Sequence, residues 1–170
     1  MTTYVIINFD FTKKIKSSFT VEPYIKEVQN RNQRAWISRV RISSSQLRVE
    51  TGRYTRPVTL INERVCKYCD SGDLDDEFHM LMRCSVFQIK RNCLFGKISS
   101  INPKFLELTE NQQLLTLLCP PEPKSAKLVN KFMNIVFTAR KRIDGGEPID
   151  RGNFTNNYSL SDDSESDTEP

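Results

Sequence analysis

Val65 to Cys84 reads VCKYCDSGDLDDEFHMLMRC. It holds three of the chain's five cysteines and its single histidine. The spacing is Cys66-x2-Cys69-x9-His79-x4-Cys84. A Cys-x-x-Cys sets two sulfurs at the ends of one tight turn, close enough to grip one tetrahedral ion. The residues between, DSGDLDD, supply turn chemistry and a helix start before EFHMLMRC. The chain can then fold back and deliver His79 and Cys84 as third and fourth ligands. Thiolate and imidazole are donors that Zn²⁺ favours, and four protein ligands close the coordination sphere, which is the structural pattern. One geometric condition applies. On an ideal α-helix, residues five apart point about 140° away from each other. His79 and Cys84 can share an ion only if the helix ends or opens near Arg83. Ser85, as the N-cap of the next helix, offers that break. The competing readings are a buried Cys cluster with a core His, or a redox Cys-x-x-Cys. The His and Cys that follow at knuckle-like spacing favour the metal. Cys93 and Cys119 lack paired spacing and read as core or free thiols, Cys93 on an apolar helix face.

Other chemistry finds little support, and the expectation is that the chain is not an enzyme. Asp73, Asp75, Asp76 and Glu77 resemble a divalent-metal nuclease cluster. The plainer account puts these acids in the first turn of a helix, where carboxylates satisfy free N–H groups and the dipole. If His79 is a ligand, no histidine remains for a Ser-His-Asp or Cys-His pair. There is no Gly-rich phosphate loop, no His-Glu-x-x-His and no Tyr-x-Asp-Asp polymerase signature.

The elements that must position these residues are mostly helical. Tyr24, Val28, Trp36, Ile37 and Val40 fall near helical spacing between Tyr24 and Ser43, with a break around Asn30 to Asn32. QLRVETGRY reads as extended, with Gly52 marking a turn, and TRPVTLINERV reads as a loop. SVFQIKRNCLFGKI reads as a helix with Val86, Ile89 and Cys93 on one face. NQQLLTLLC is a short helix stopped by Pro120 and Pro121. SAKLVNKFMNIVFTARKRI is the strongest helix. Leu128, Val129, Phe132, Met133, Val136 and Phe137 form a wide apolar stripe, and Arg140, Lys141 and Arg142 stand at its C-terminal end, where cations are favoured. No internal repeat is evident. The fold class expected is mainly α: a small helical domain over 11–143 containing the CCHC loop at 66–84. Residues 1–10 form a segment of uncertain order.

Composition agrees with one modest domain. Of 170 residues, 38% are hydrophobic and 27% charged. No apolar run approaches the ~18 residues of a membrane span, so no membrane role is expected. MTTYVIINFDFTKK lacks a basic n-region, and Asn8 and Asp10 break its apolar stretch, unlike a signal peptide. A cytoplasmic or nuclear location follows, where thiols stay reduced, and an odd cysteine count fits metal ligands better than disulfides. The net charge of +4 hides an asymmetry: +8 over residues 1–69, +2 over 70–144 and −6 over 145–170. A basic front half suggests an anionic partner, for which the acidic end could compete. Residues 144–170 have few aliphatics and many Ser, Asn and acids, a composition that reads as a disordered tail. Ser159, Ser164 and Ser166 each precede an acid by three residues, as in an acidophilic kinase site, but such matches are common in acidic tails and a solubilising tail is the favoured reading.

Three stretches in order, RVRISSSQLRVETGRYTRP, NERVCKYC and LDDEFHMLMRCSVFQIKRN, resemble the region C-terminal to the reverse transcriptase in non-LTR (LINE-type) retrotransposon polyproteins. That group tends to show an Arg-Ile-Ser run, a Glu-x-Gly-Arg-Tyr run, an Arg-x-Cys-x-x-Cys and an acidic motif with His before the last Cys. The likeness runs from about Phe11 to Ile143. It departs where a His often follows the Arg-Ile-Ser run, since Ser44, Ser45 and Gln46 stand there, and Phe78 precedes His79 in the acidic motif. The polymerase and endonuclease have no counterpart, so the expectation is a fragment or stand-alone remnant, and polymerase activity is not carried over.

The resemblance implies a zinc-knuckle-like accessory module that helps a parent enzyme hold RNA or DNA. The local residues are compatible. Arg31, Arg34, Arg39, Arg41, Arg48, Arg53, Arg56 and Arg64 precede the site, and Lys67 and Arg83 lie within it. Such cations neutralise phosphates, and Tyr54 or Tyr68 could stack on an unpaired base. Alternatively these arginines pair with Glu50, Glu63 and the acidic loop to pin the fold. Two further readings stay open: a structural-zinc helical domain with a protein partner, or a non-functional transposon relic.

Overall fold

The computed structural model describes residues 21–28 and 30–146. The expectations for residues 1–10 and for the acidic tail from 147 onward lie outside the described residues. Among the described residues the chain is mainly helical and has no strand, only an isolated antiparallel bridge between Val65 and Leu74. Six α-helices are described: α1 (Pro23–Glu27), α2 (Ala35–Arg41), α3 (Arg48–Thr51), α4 (Gln88–Ile101), α5 (Glu110–Leu118) and α6 (Pro123–Asp144). Short 3₁₀ turns lie at Arg31–Gln33, Ile61–Glu63, Ser85–Phe87 and Pro103–Glu107.

α6 is the axis of the fold, with α1, α2, α4 and α5 packed against it. Its expected stripe is buried, and Ile135 and Ala139 widen it. Proline at its first position costs no hydrogen bond, because N–H groups there have no partner within the helix. Trp36 of α2 stacks on Phe137 with centroids 4.3 Å apart. α2 has no side-chain cap of its own. Asn130, buried on α6, takes that role: its Oδ1 accepts from the Trp36 N–H at 2.8 Å, and its Nδ2 donates to the Asn32 carbonyl at 2.8 Å. A capping box at Thr109 and Gln112 opens α5, and Phe95 meets Phe105 edge to face where α4 turns back.

Two local expectations are corrected. Gln46 to Tyr54 is not extended, since residues Arg48–Thr51 form one helical turn. Among the described residues no strand exists for this segment to pair with, and its N–H groups bond locally: Thr51 to the Leu47 carbonyl at 2.9 Å and Gly52 to that of Arg48 at 2.9 Å. The α4 face is also different. Ile89 and Cys93 are exposed, and the buried positions are Lys90, Arg91, Leu94 and Ile98. Lys90 and Arg91 bury their aliphatic stems, and Arg91 donates to the Cys84 carbonyl at 3.0 Å. Apolar type alone misread the face because two long cations cover the core.

Candidate metal centre

The four ligand atoms of Cys66, Cys69, His79 and Cys84 lie within 4.8 Å of one another, and all four residues are buried. This cluster could hold a metal ion. The chain reaches it by a narrow fold-back. The Cys66 N–H donates to the Asp73 carbonyl at 2.8 Å, and the Asp75 N–H to the Arg64 carbonyl at 2.9 Å. Gly72, with φ of 71°, turns the chain between them in the left-handed region that glycine enters without strain. The Cys69 sulfur sits 3.3 Å from His79 Nε2.

The condition on His79 and Cys84 is met by a change of helix type. His79–Arg83 is a π-helical turn, closed by the Cys84 N–H bonding to the His79 carbonyl at 2.7 Å. A π-turn closes five residues on, so it brings residue i+5 back over residue i. The 140° divergence of an α-helix is removed, and the helix stops at Arg83 with Cys84 as its C-cap. Ser85 is therefore not the N-cap expected. Cys84 itself occupies the cap position of the Ser85–Phe87 turn, and α4 starts only at Gln88.

The surroundings orient the ligands. Asp73 approaches the other face of the imidazole, Oδ2 lying 3.4 Å from His79 Nδ1. Nε2 faces the sulfurs, and Nδ1 meets Asp73 as an ion contact outside hydrogen-bond alignment. The Cys66 thiol is held far below its ordinary value by its hydrogen bond with Cys84, against burial, with His79 adding to the effect. Cys84 is pushed up in return, first by Cys66 and then by burial. Burial lowers His79, but its contacts with Cys66 and Cys69 prevail and raise it.

The acidic run does not act as a group. Asp76 alone takes the helix-start role, accepting from the His79 N–H at 2.7 Å. Asp75 is fully buried and faces Arg140 of α6. Nη1 donates to Oδ2 at 3.2 Å, and Nη2 lies 2.8 Å from Oδ1 as an ion contact outside hydrogen-bond alignment. Arg140 also lies over the Tyr68 ring at 4.6 Å. Burial raises the Asp75 carboxyl, with Arg140 opposing. Glu77 is buried with neither carboxyl oxygen bonded, and burial pushes it up to about 8. The end of α6 closes the site from outside. Asp144 takes a hydrogen bond from Tyr68 at 3.1 Å and pairs with Lys67 at 2.7 Å.

The ten cations proposed for nucleic acid divide sharply. Arg34 donates to the carbonyls of Val28 and Ile25. Arg41 is buried against Glu22 at 2.8 Å. Arg48 caps the Val65 carbonyl at 3.0 Å, and Arg64 is buried on the carbonyls of Val49 and Thr59. These four bond within the fold, Arg41 and Arg64 buried and Arg34 and Arg48 half-buried. Arg53, Lys67 and Arg83 are exposed but sit beside Glu50, Asp144 and Glu110. Arg31, Arg39 and Arg56 are exposed with no ion pair among the described residues. Tyr68 is buried and cannot stack on a base, whereas Tyr54 is 82% exposed. The sequence reading took no residue of α6 into its nucleic-acid set. Asn130 and Asn134 tie it to Asn32 and Trp36, so Lys127 and Lys131 flank the segment that carries Arg31 and Arg39. The exposed lysines of α6 alternating with its apolar stripe were the available signal.

No family model, curated protein or solved structure matches this chain. Among the described residues no helix is long and apolar enough to cross a membrane.

Proposed function

We propose that the chain is a zinc-binding module that holds RNA or DNA on a basic face and carries no catalysis of its own. The observation that carries the reading is the closed cluster: three sulfurs and one imidazole, all buried, converging within 4.8 Å. This donor set suits Zn²⁺, and four protein ligands leave no position for a reacting water. The ion would therefore contribute folding energy, on the order of 10 kcal/mol. With His79 as a ligand, the chain has no second histidine for general-base work.

Support for nucleic acid is electrostatic. Arg31, Arg39 and Arg56 are exposed, as are Lys127, Lys141 and Arg142. The resemblance to retrotransposon C-terminal regions gives the same expectation, with the chain as a fragment or remnant of such a polyprotein in the cytoplasm or nucleus. The test has two parts. Elemental analysis is expected to find one zinc per chain, lost in Cys69→Ser and in His79→Ala. Binding to RNA or DNA is expected to weaken steeply as salt rises. Salt-insensitive binding to a protein, with no retention of nucleic acid at low salt, would replace this reading with a structural-zinc interaction domain.

A further inference from the structure

The loop from Gly52 to Arg64 is ordered by its own polar groups, which bond to each other and to the loop backbone. The Thr55 hydroxyl donates to the Gly52 carbonyl at 3.0 Å, and the Thr59 N–H donates to the Thr55 hydroxyl at 2.9 Å. Arg64 fastens the base: Nη1 donates to Val49 at 2.7 Å, while Nε and Nη2 donate to Thr59 at 3.0 and 2.9 Å. A side chain at Gly52 would collide with this guanidinium, its Cβ lying 2.7 Å from Nε. Meanwhile Tyr54, Val58, Leu60 and Ile61 point outward, Tyr54 being the most exposed large apolar side chain described. Arg53 and Arg56 are exposed on the same loop, Arg53 lying 3.5 Å from Glu50 at its edge, and residues 51–62 contain no acid. The loop ends at Arg64, whose carbonyl takes the Asp75 N–H, so the metal turn holds its root.

A loop that orders its own backbone while exposing an aromatic ring between two arginines is prepared for a ligand that is both flat and anionic. We infer that residues 53–61 bind an unpaired stretch of nucleic acid, Tyr54 stacking on a base and Arg53 and Arg56 meeting the flanking phosphates. Duplex bases are already stacked and offer no free face to Tyr54. The ordered loop gives up little conformational freedom on binding, which favours affinity. This inference rests on the nucleic-acid reading above and names which form of nucleic acid the loop selects.

The experiment is fluorescence anisotropy with the full zinc-loaded chain and labelled oligo-uridine, oligo-thymidine and a duplex of equal length. Tyr54→Ala is expected to weaken binding to both single strands by about tenfold, leave the duplex unchanged, and be rescued by Tyr54→Phe. Arg56→Ala is expected to lower the salt slope by about 0.7. Tighter binding of oligo-uridine than oligo-thymidine would assign RNA through its 2′-hydroxyl; equal binding would assign the unpaired base alone. Unchanged thermal stability and zinc content establish that each variant is folded. If Tyr54→Ala binds single strands as the parent does, while Arg39→Ala with Lys127→Ala loses binding, the loop assignment fails and the basic face stands. If the parent binds none of the probes at low salt, the nucleic-acid reading fails with it.

Discussion

Residues 64–84 and the layer of α2, α4 and α6 lie against each other but are held in different ways. The first region has one isolated bridge, two backbone hydrogen bonds across its fold-back and four convergent side chains that could hold a metal ion, with Met80 and Leu81 reaching into the core. The second buries large side chains between helices, with Phe132, Phe137, Ile37, Leu94 and Ile98 essentially without exposure. Burial of apolar surface is non-directional and spread over many residues. Metal ligation is directional and concentrated in four. The turn should therefore fail abruptly when its ion or one ligand is lost, whereas the helical layer should weaken by increments. Arg140 belongs to the helical layer and neutralises Asp75 in the turn, so it joins the two.

The largest expected effect is metal removal. A strong chelator withdraws on the order of 10 kcal/mol from the turn. Hydrogen exchange should then open amides across 64–84 while the centre of α6 keeps its protection. Simultaneous loss in both regions would erase the distinction and make them one cooperative unit. Next comes Arg140→Met, which leaves Asp75 buried without its partner and should cost about 3–5 kcal/mol in urea unfolding. Pairing it with Asp75→Leu should recover most of that loss, because the desolvated charge goes too. Phe132→Ala should also cost about 3–5 kcal/mol by leaving a cavity in the core. It sharpens the contrast if the bound-metal content is the same as in the parent. Thr109→Ala, at the start of α5, should cost about 1 kcal/mol with no change in metal affinity. The smallest effect belongs to Arg83→Ala. Its exposed pair with Glu110 at 2.8 Å should be worth at most about 1 kcal/mol, detectable by a shift in urea midpoint.

The same contrast explains what could be read in advance. α6 was legible because six apolar side chains recur at helical spacing, and that periodicity reflects one physical cause, burial. The ligand set was legible because ion coordination restricts both residue type and spacing. The π-turn was not, since it is a backbone solution forced by the ligands and leaves no trace in residue type. The arginines misled for a related reason. Sequence reports charge, but whether Arg41 or Arg64 meets solvent depends on carbonyls and carboxylates up to 77 residues away. Asp75 and Glu77 were placed with Asp76 at a helix start for want of the same information; both are buried, and Asp76 alone takes that role.

The joining of Asp75 to Arg140, and of Lys67 and Tyr68 to Asp144, has a consequence for the order of events during synthesis. The partners are separated by 65 to 77 residues along the chain. A chain growing from its N-terminus presents all four metal ligands before α6 exists. The knuckle can take its ion at that stage, but Asp75 must remain hydrated until Arg140 arrives. Ribosome-released chains ending before residue 140 would then be metal-binding yet loosely closed. Completion of α6 would be the step that dries the turn and makes ion exchange slow.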